Sequence, residues 1–306
     1  MLTSLFHEFS EKLRDIKTQY SGYVWHYTSS QGLKGIIENN AIWLSDRRFL
    51  NDKSECSYVY ELINELLENK LTEQLDNNFE EWIYSIINEF NNIDIDCWKQ
   101  DKLVLPCYVA SFSTQEDNLS LWNYYTKNQQ HVGYSFKVDT NNLLKNLSSQ
   151  TLNINYSFTN GKVIYSKDEQ LNLLKNLLND YNLLYKKYKN RNRGIEEEIL
   201  FFEIINLLDI YNLFFKPSAY EVEQEYRIVI VDMSAVENKK SSKNFRIYND
   251  IFIPYIELPN IKSLIEEIKI SPAQNQQLLK NSLSILINNY DLQDVKISKS
   301  TIPIRY

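Results

Sequence analysis

Apolar residues recur every three to four positions at Leu5, Phe9, Leu13 and Ile16, a spacing that predicts a helix ending near Tyr20-Ser21-Gly22. Beyond that turn the pattern predicts a strand at 23–27, a short helix at 31–40 capped by Ser29 or Ser30, and a second strand at 41–44. Helical spacing returns at 53–70 and 79–90, which read as a lobe over one sheet edge. Strands at 107–112 and 132–138 flank a short helix at 119–125, and two long helices follow at 168–189 and 195–215, the second stopped by Pro217. The run 225–231 alternates and is rich in Ile and Val, so it reads as a strand, with a polar loop after it at 237–243. Further strands at 251–256, 268–270 and 295–298, and a helix at 272–289, complete an α+β pattern around one mixed sheet. The expected organisation is a single elaborated domain over 1–306, with a helical lobe at 53–100 and a helical insertion at 168–215.

Composition narrows the chemistry. Hydrophobic residues make up 43% of the 306, enough for a packed globule rather than a disordered chain. The net charge of -7 is spread along the chain, so duplex DNA is not an expected partner. The tract from Lys186 to Arg193 reads either as an RNA grip or as the cationic end of a solvated helix. Cys56, Cys97 and Cys107 show neither disulfide nor zinc spacing, which implies a reducing, cytoplasmic setting and no metal. The greasiest stretch, 199–215, is interrupted by Glu203, Asn206, Asp209 and Asn212, and therefore reads as a buried helix rather than a membrane span. Six glycines without phosphate-loop spacing, and three scattered histidines (His7, His26, His131), exclude nucleotide-loop and metallohydrolase motifs.

Four segments carry candidate chemistry. Trp25-His26-Tyr27-Thr28 places an imidazole and a hydroxyl at a strand end, either facing a ligand or satisfied within the structure. Asn51, Asp52 and Glu55 form a polar cluster whose plain alternative is a helix cap. Trp122 and Tyr125 lie three apart on a short helix, as core packing or as a flat surface for a ring ligand. Glu221, Glu223 and Glu225 fall on one face if their segment is extended, where they are either solvated or answered by Lys216, Arg227 or a cationic ligand.

In order along the chain, His26-Tyr27-Thr28, Leu50-Asn51-Asp52, Leu121-Trp122 with Tyr125, Gly133, and Glu223, Glu225 and Arg227 resemble a widespread bacterial family of domains of unknown function. More distantly, His26-Tyr27-Thr28 with 32–37 and 41–44 looks like the opening strand, helix and strand of ADP-ribosyltransferases. Glu225-Tyr226-Arg227-Ile228-Val229 looks like their late glutamate strand. That resemblance implies a mainly antiparallel, split sheet with large helical insertions, and NAD as substrate. It implies catalytic roles for His26, Glu223 and Glu225. Tyr27, Thr28, Asn51, Asp52, Trp122, Tyr125 and Arg227 would bind the nucleotide. It further implies a protein or nucleic-acid acceptor and a toxin or phage-defence role. Tyr27 stands where many members of that superfamily have glycine. The rival readings are a non-catalytic nucleotide- or RNA-binding sensor, and a metal-dependent nuclease using Asp52, Glu55, Glu223 and Glu225.

Overall fold

The computed structural model describes residues 20–50, 57–72, 75–91, 104–126, 132–149, 156–189, 194–234 and 243–303. The opening helix, Asn51, Asp52, Glu55, His7, His131, Cys56, Cys97 and most of the loop at 237–243 lie outside them.

In chain order the strands are β1 (Tyr23–Ser29), β2 (Ala41–Asp46), β3 (Cys107–Ser113), β4 (Gly133–Asp139), β5 (Tyr156–Lys162), β6 (Glu225–Asp232), β7 (Asn244–Tyr248), β8 (Ile251–Pro259), β9 (Glu267–Ile270) and β10 (Lys296–Lys299). The helices are α1 (Ser30–Asn39), α2 (Tyr58–Glu68), α3 (Asn77–Asn91), α4 (Leu119–Thr126), α5 (Thr140–Ser149), α6 (Lys167–Lys189), α7 (Gly194–Phe214) and α8 (Gln276–Asn289). Ser29 caps α1 by accepting from the Gly32 amide at 3.0 Å, as the Ser-rich start of that helix leads one to expect.

All these strands join one mixed sheet in which only β9 and β10 run parallel. Its centre is β3. One edge of β3 pairs along its whole length with β6, which in turn pairs with β5. The other edge is divided between β1, which meets it at Trp25↔Ser113, and β2, which meets it at Ser45↔Val109 and Asp46↔Tyr108. From that division one wing continues through β4, β9 and β10, and the other through β8 and β7. The architecture is α+β, with a mixed, mainly antiparallel sheet split at β3.

Alternation along β3 and β6 sorts side chains to two cores. Val109, Val229 and Val231 join the core built by α2, α3, α6 and α7. Tyr108, Ala110, Phe112, Tyr226, Ile228 and Ile230 face the other, built with α1, α5 and α8. With both faces covered, every residue of β6 is buried, which is why its sequence reads as a near-continuous apolar run.

The polar interruptions of α7 belong to its inner face. Asn206 Oδ1 accepts from the Leu105 amide at 2.7 Å, and Asn212 Oδ1 from the Val59 amide at 2.8 Å. Asp209 pairs with Arg47, and Glu203 Oε2 accepts from the Tyr181 hydroxyl at 3.4 Å. Spaced three apart, these side chains satisfy groups of neighbouring elements that cannot reach water. The helix is buried, as its spacing predicts.

Two features depart from the sequence pattern. Residues 218–223 do not extend β6: they form a 3-10 helix (Ser218–Glu223), and Gln224 takes left-handed backbone at φ 43 before the strand begins. Glu221, Glu223 and Glu225 therefore do not line one face of a strand. Helix α5 and strand β5 were also not anticipated, because Asn-rich and Asn-Gly stretches mark turns unless long-range pairing overrides them, and neither was β7.

Candidate functional site

The entry to β6 is held from three sides. Ser113 Oγ, at the end of β3, donates to the Glu223 carbonyl at 2.7 Å, and the Thr114 amide donates to the Gln224 carbonyl at 2.9 Å. The Glu225 amide donates to the Tyr165 hydroxyl at 3.0 Å. Gln170 Nε2 donates to the Lys216 carbonyl at 2.9 Å, fixing the chain just before Pro217.

These constraints bring four charged side chains together. Lys216 Nζ donates to Glu223 Oε2 at 2.9 Å and also to Glu225 Oε1. Arg227 Nε donates to Glu225 Oε2 at 2.7 Å and its Nη2 to Glu225 Oε1 at 3.1 Å, while its Nη1 donates to the Leu213 carbonyl at 2.8 Å. Lys216, Glu225 and Arg227 are buried, but the Glu223 side chain is 25% exposed and forms the outer member of the group.

The two carboxyls are driven apart. Burial alone would raise the Glu225 carboxyl, yet the Arg227 guanidinium and the Lys216 ammonium outweigh it and hold Glu225 well below the usual carboxylate range. Glu223 has only a share of Lys216. Burial and the Glu225 charge push its carboxyl up to about 7.

Beside Glu223 lies an aromatic wall. Tyr27 and Trp122 meet edge to face at 4.6 Å, and Tyr125 stacks beyond Tyr27 with centroids 6.4 Å apart at 25°. Trp122 is fully buried, its Nε1 donating to Asp117 Oδ1 at 2.7 Å. Tyr27 is buried as well, its hydroxyl donating to the Gln115 carbonyl at 2.8 Å. Tyr125 is 38% exposed, and burial around its hydroxyl, with the Glu225 charge second, raises its phenol. Leu119, Tyr124 and Val222 are also exposed on the same two elements, α4 and the 3-10 helix. Asn118 joins those elements: its Oδ1 caps α4 by accepting from the Ser120 amide at 2.9 Å, and its Nδ2 donates to the Val222 carbonyl at 2.7 Å.

Among the residues singled out from sequence, Glu223, Glu225 and Arg227 form the charged group, and Tyr125 stands at its edge. Tyr27 and Trp122 support Tyr125 from behind and offer little surface of their own. His26 and Thr28 are elsewhere. The register Trp25↔Ser113↔Glu225 puts the odd-numbered side chains of β1 on the Glu225 side, so His26 points to the opposite face. There its Nδ1 bonds the Ser111 carbonyl at 2.9 Å and its ring lies against Phe112 and Phe136. Since that carbonyl only accepts, Nδ1 carries the proton. Burial lowers the imidazole pKa to about 4, so the ring is neutral. The bond fills the place where the β1–β3 ladder opens at the split. Thr28 also faces away, its Oγ1 so close to Gly32 that a Cβ there would approach to 2.1 Å. Asn51 and Asp52 lie outside the described residues. Sequence reasoning missed Tyr165 and Gln170, which no spacing marks because they reach β6 only through the tertiary fold.

Residues 121–228 match the model of a family described as Protein of unknown function (DUF2971). No curated protein and no solved structure matches the chain. The matched stretch runs from α4 into β6 and contains Trp122, Tyr125, Lys216, Glu223, Glu225 and Arg227, whereas His26 and Tyr27 precede it. Among the described residues no helix is long and apolar enough to cross a membrane.

Proposed function

We propose, starting from that match to a family of unknown activity, that the chain is an ADP-ribosyltransferase-like enzyme taking NAD at the Glu223–Glu225 face, with its proton transfer on Glu223 and no part for His26. One observation carries this reading: two carboxyls two positions apart whose surroundings push their ionisation in opposite directions. Such a pair offers one group that keeps its charge and another that exchanges a proton near neutral pH.

In the reaction the bond between ribose C1′ and the nicotinamide nitrogen breaks, and its electron pair leaves with nicotinamide. The ribose becomes oxocarbenium-like, and an acceptor hydroxyl or amine adds to C1′ while Glu223 takes its proton. Glu225, itself held by Arg227, positions Lys216, which in turn holds Glu223. The exposed ring of Tyr125 supplies a surface for stacking on a flat base. A protein or nucleic-acid acceptor and a toxin or phage-defence role rest on the superfamily resemblance, and a cytoplasmic setting rests on the cysteine spacing.

A second reading, a nucleotide-binding module without turnover, is favoured by the fact that both Glu225 oxygens are already taken by Lys216 and Arg227. Incubation with labelled NAD separates the two. The enzyme releases nicotinamide, and Glu223→Gln lowers that release by on the order of a hundredfold or more. Because a base must be ionised, release in the native chain falls as pH drops through about 7, and the variant loses that dependence. Binding without release supports the module, and absence of both contradicts either reading.

A further inference from the structure

The wing formed by β2, β8 and β7 carries a second group of polar side chains, at the opposite end of β3 from Glu225. The pairings Ser45↔Tyr255↔Asn244 and Arg246↔Ile253 put Trp43, Ser45, Tyr255, Arg246 and Tyr248 on one face of it. Arg246 reaches over β8, and its Nη2 donates to Ser45 Oγ at 3.0 Å. Its guanidinium lies 6.0 Å from the Tyr248 ring centroid. Trp43 packs on Tyr255 at 4.5 Å and 31°.

The group is rich in donors, and Asn244 and Glu257 share its face. Arg246 makes no ion pair with a carboxylate among the described residues. Among the described residues, the Arg246 Nε and Trp43 Nε1 protons are buried with no acceptor. A half-buried guanidinium answered by one hydroxyl is costly, and a cation withdrawn from water normally has an anion beside it. Glu257, exposed on this face, acts on Tyr255 rather than on Arg246.

We infer that the Trp43–Ser45–Arg246 group is a binding site for a phosphate-class oxyanion, either free phosphate or the phosphate of a nucleotide. A guanidinium with a hydroxyl beside it and an indole N–H on the same sheet face supplies the donor types that an oxyanion accepts. Both buried protons are out of reach of solvent, so entry requires the guanidinium to lift. Among the described residues, one hydrogen bond, to Ser45, ties that guanidinium to the sheet. Tyr248, half exposed beside it, offers a surface on which a nucleotide base stacks. This site is independent of the reading given for Glu223.

Titration calorimetry of the full chain with inorganic phosphate, adenosine monophosphate and acetate tests the inference. Phosphate or the nucleotide binds, and Arg246→Gln weakens that binding by about tenfold to a hundredfold. Arg246-dependent binding that is tighter for the nucleotide identifies a nucleotide site, and Arg246-dependent binding equal for both identifies free phosphate. Trp43→Phe keeps the ring against Tyr255 and removes only the donor, so its several-fold loss of affinity decides the matter if Arg246→Gln does not fold. Absence of binding, acetate binding as tightly as phosphate, or affinity unchanged in both variants overturns the site.

Discussion

At the scale of single residues, the same sequence feature leads to opposite outcomes depending on partners. Asp209 on α7 and Glu225 on β6 are both buried acids. Glu225 meets two cations and stays ionised, whereas among the described residues Asp209 meets one, Arg47, and its carboxyl is pushed up by burial to about 6. An ion pair so placed gives little net stability, but breaking it strands a charge. Arg47→Met or Asp209→Leu alone is therefore expected to destabilise the chain by about 3–5 kcal/mol, and the double replacement to recover most of that loss. Urea unfolding of the three variants checks it, and additive losses would contradict it. The acids around Glu225 were legible from sequence, since alternating glutamates beside Lys216 and Arg227 stand out. The orientation of His26 was not. Alternation says that His26 and Tyr27 point opposite ways, but which of them shares a face with Glu225 depends on pairings between strands more than 80 residues apart.

At the scale of elements, the site depends on a joint between a short helix and a 3-10 helix. Asn118 performs two tasks with one side chain, capping α4 through Oδ1 and holding Val222 through Nδ2. Serine also caps helices but is too short to hold the Val222 carbonyl. Asn118→Ser is thus expected to change stability by less than about 1 kcal/mol while loosening Tyr125 from Glu223, seen as a fall in turnover larger than any change in melting temperature. Equal and small effects on both would show the joint to be structural only. Most elements were readable from spacing because each buries an apolar stripe or face of its own. The 3-10 helix was not, since its course follows from Pro217, the left-handed Gln224 and clamps from β3.

At the scale of the whole molecule, the division of one edge of β3 between β1 and β2 places the rest. It opens two wings, leaves β6 covered on both faces, and sets the Glu223 group and the Arg246 group at opposite ends of one central strand. Local pattern reports strands but not which edge each one takes, so the order of the sheet is the part of the fold that sequence periodicity leaves open. The functional account needs only one consequence of that order: Glu223 sits at the rim with a carboxyl that titrates near neutrality beside one that does not. Carbon-detected NMR titration of the Glu223 side chain measures this directly. The account predicts a midpoint near 7 in the native chain, moving down in Glu225→Gln as the neighbouring charge is removed. A native midpoint in the ordinary carboxylate range, unmoved by that replacement, would contradict it.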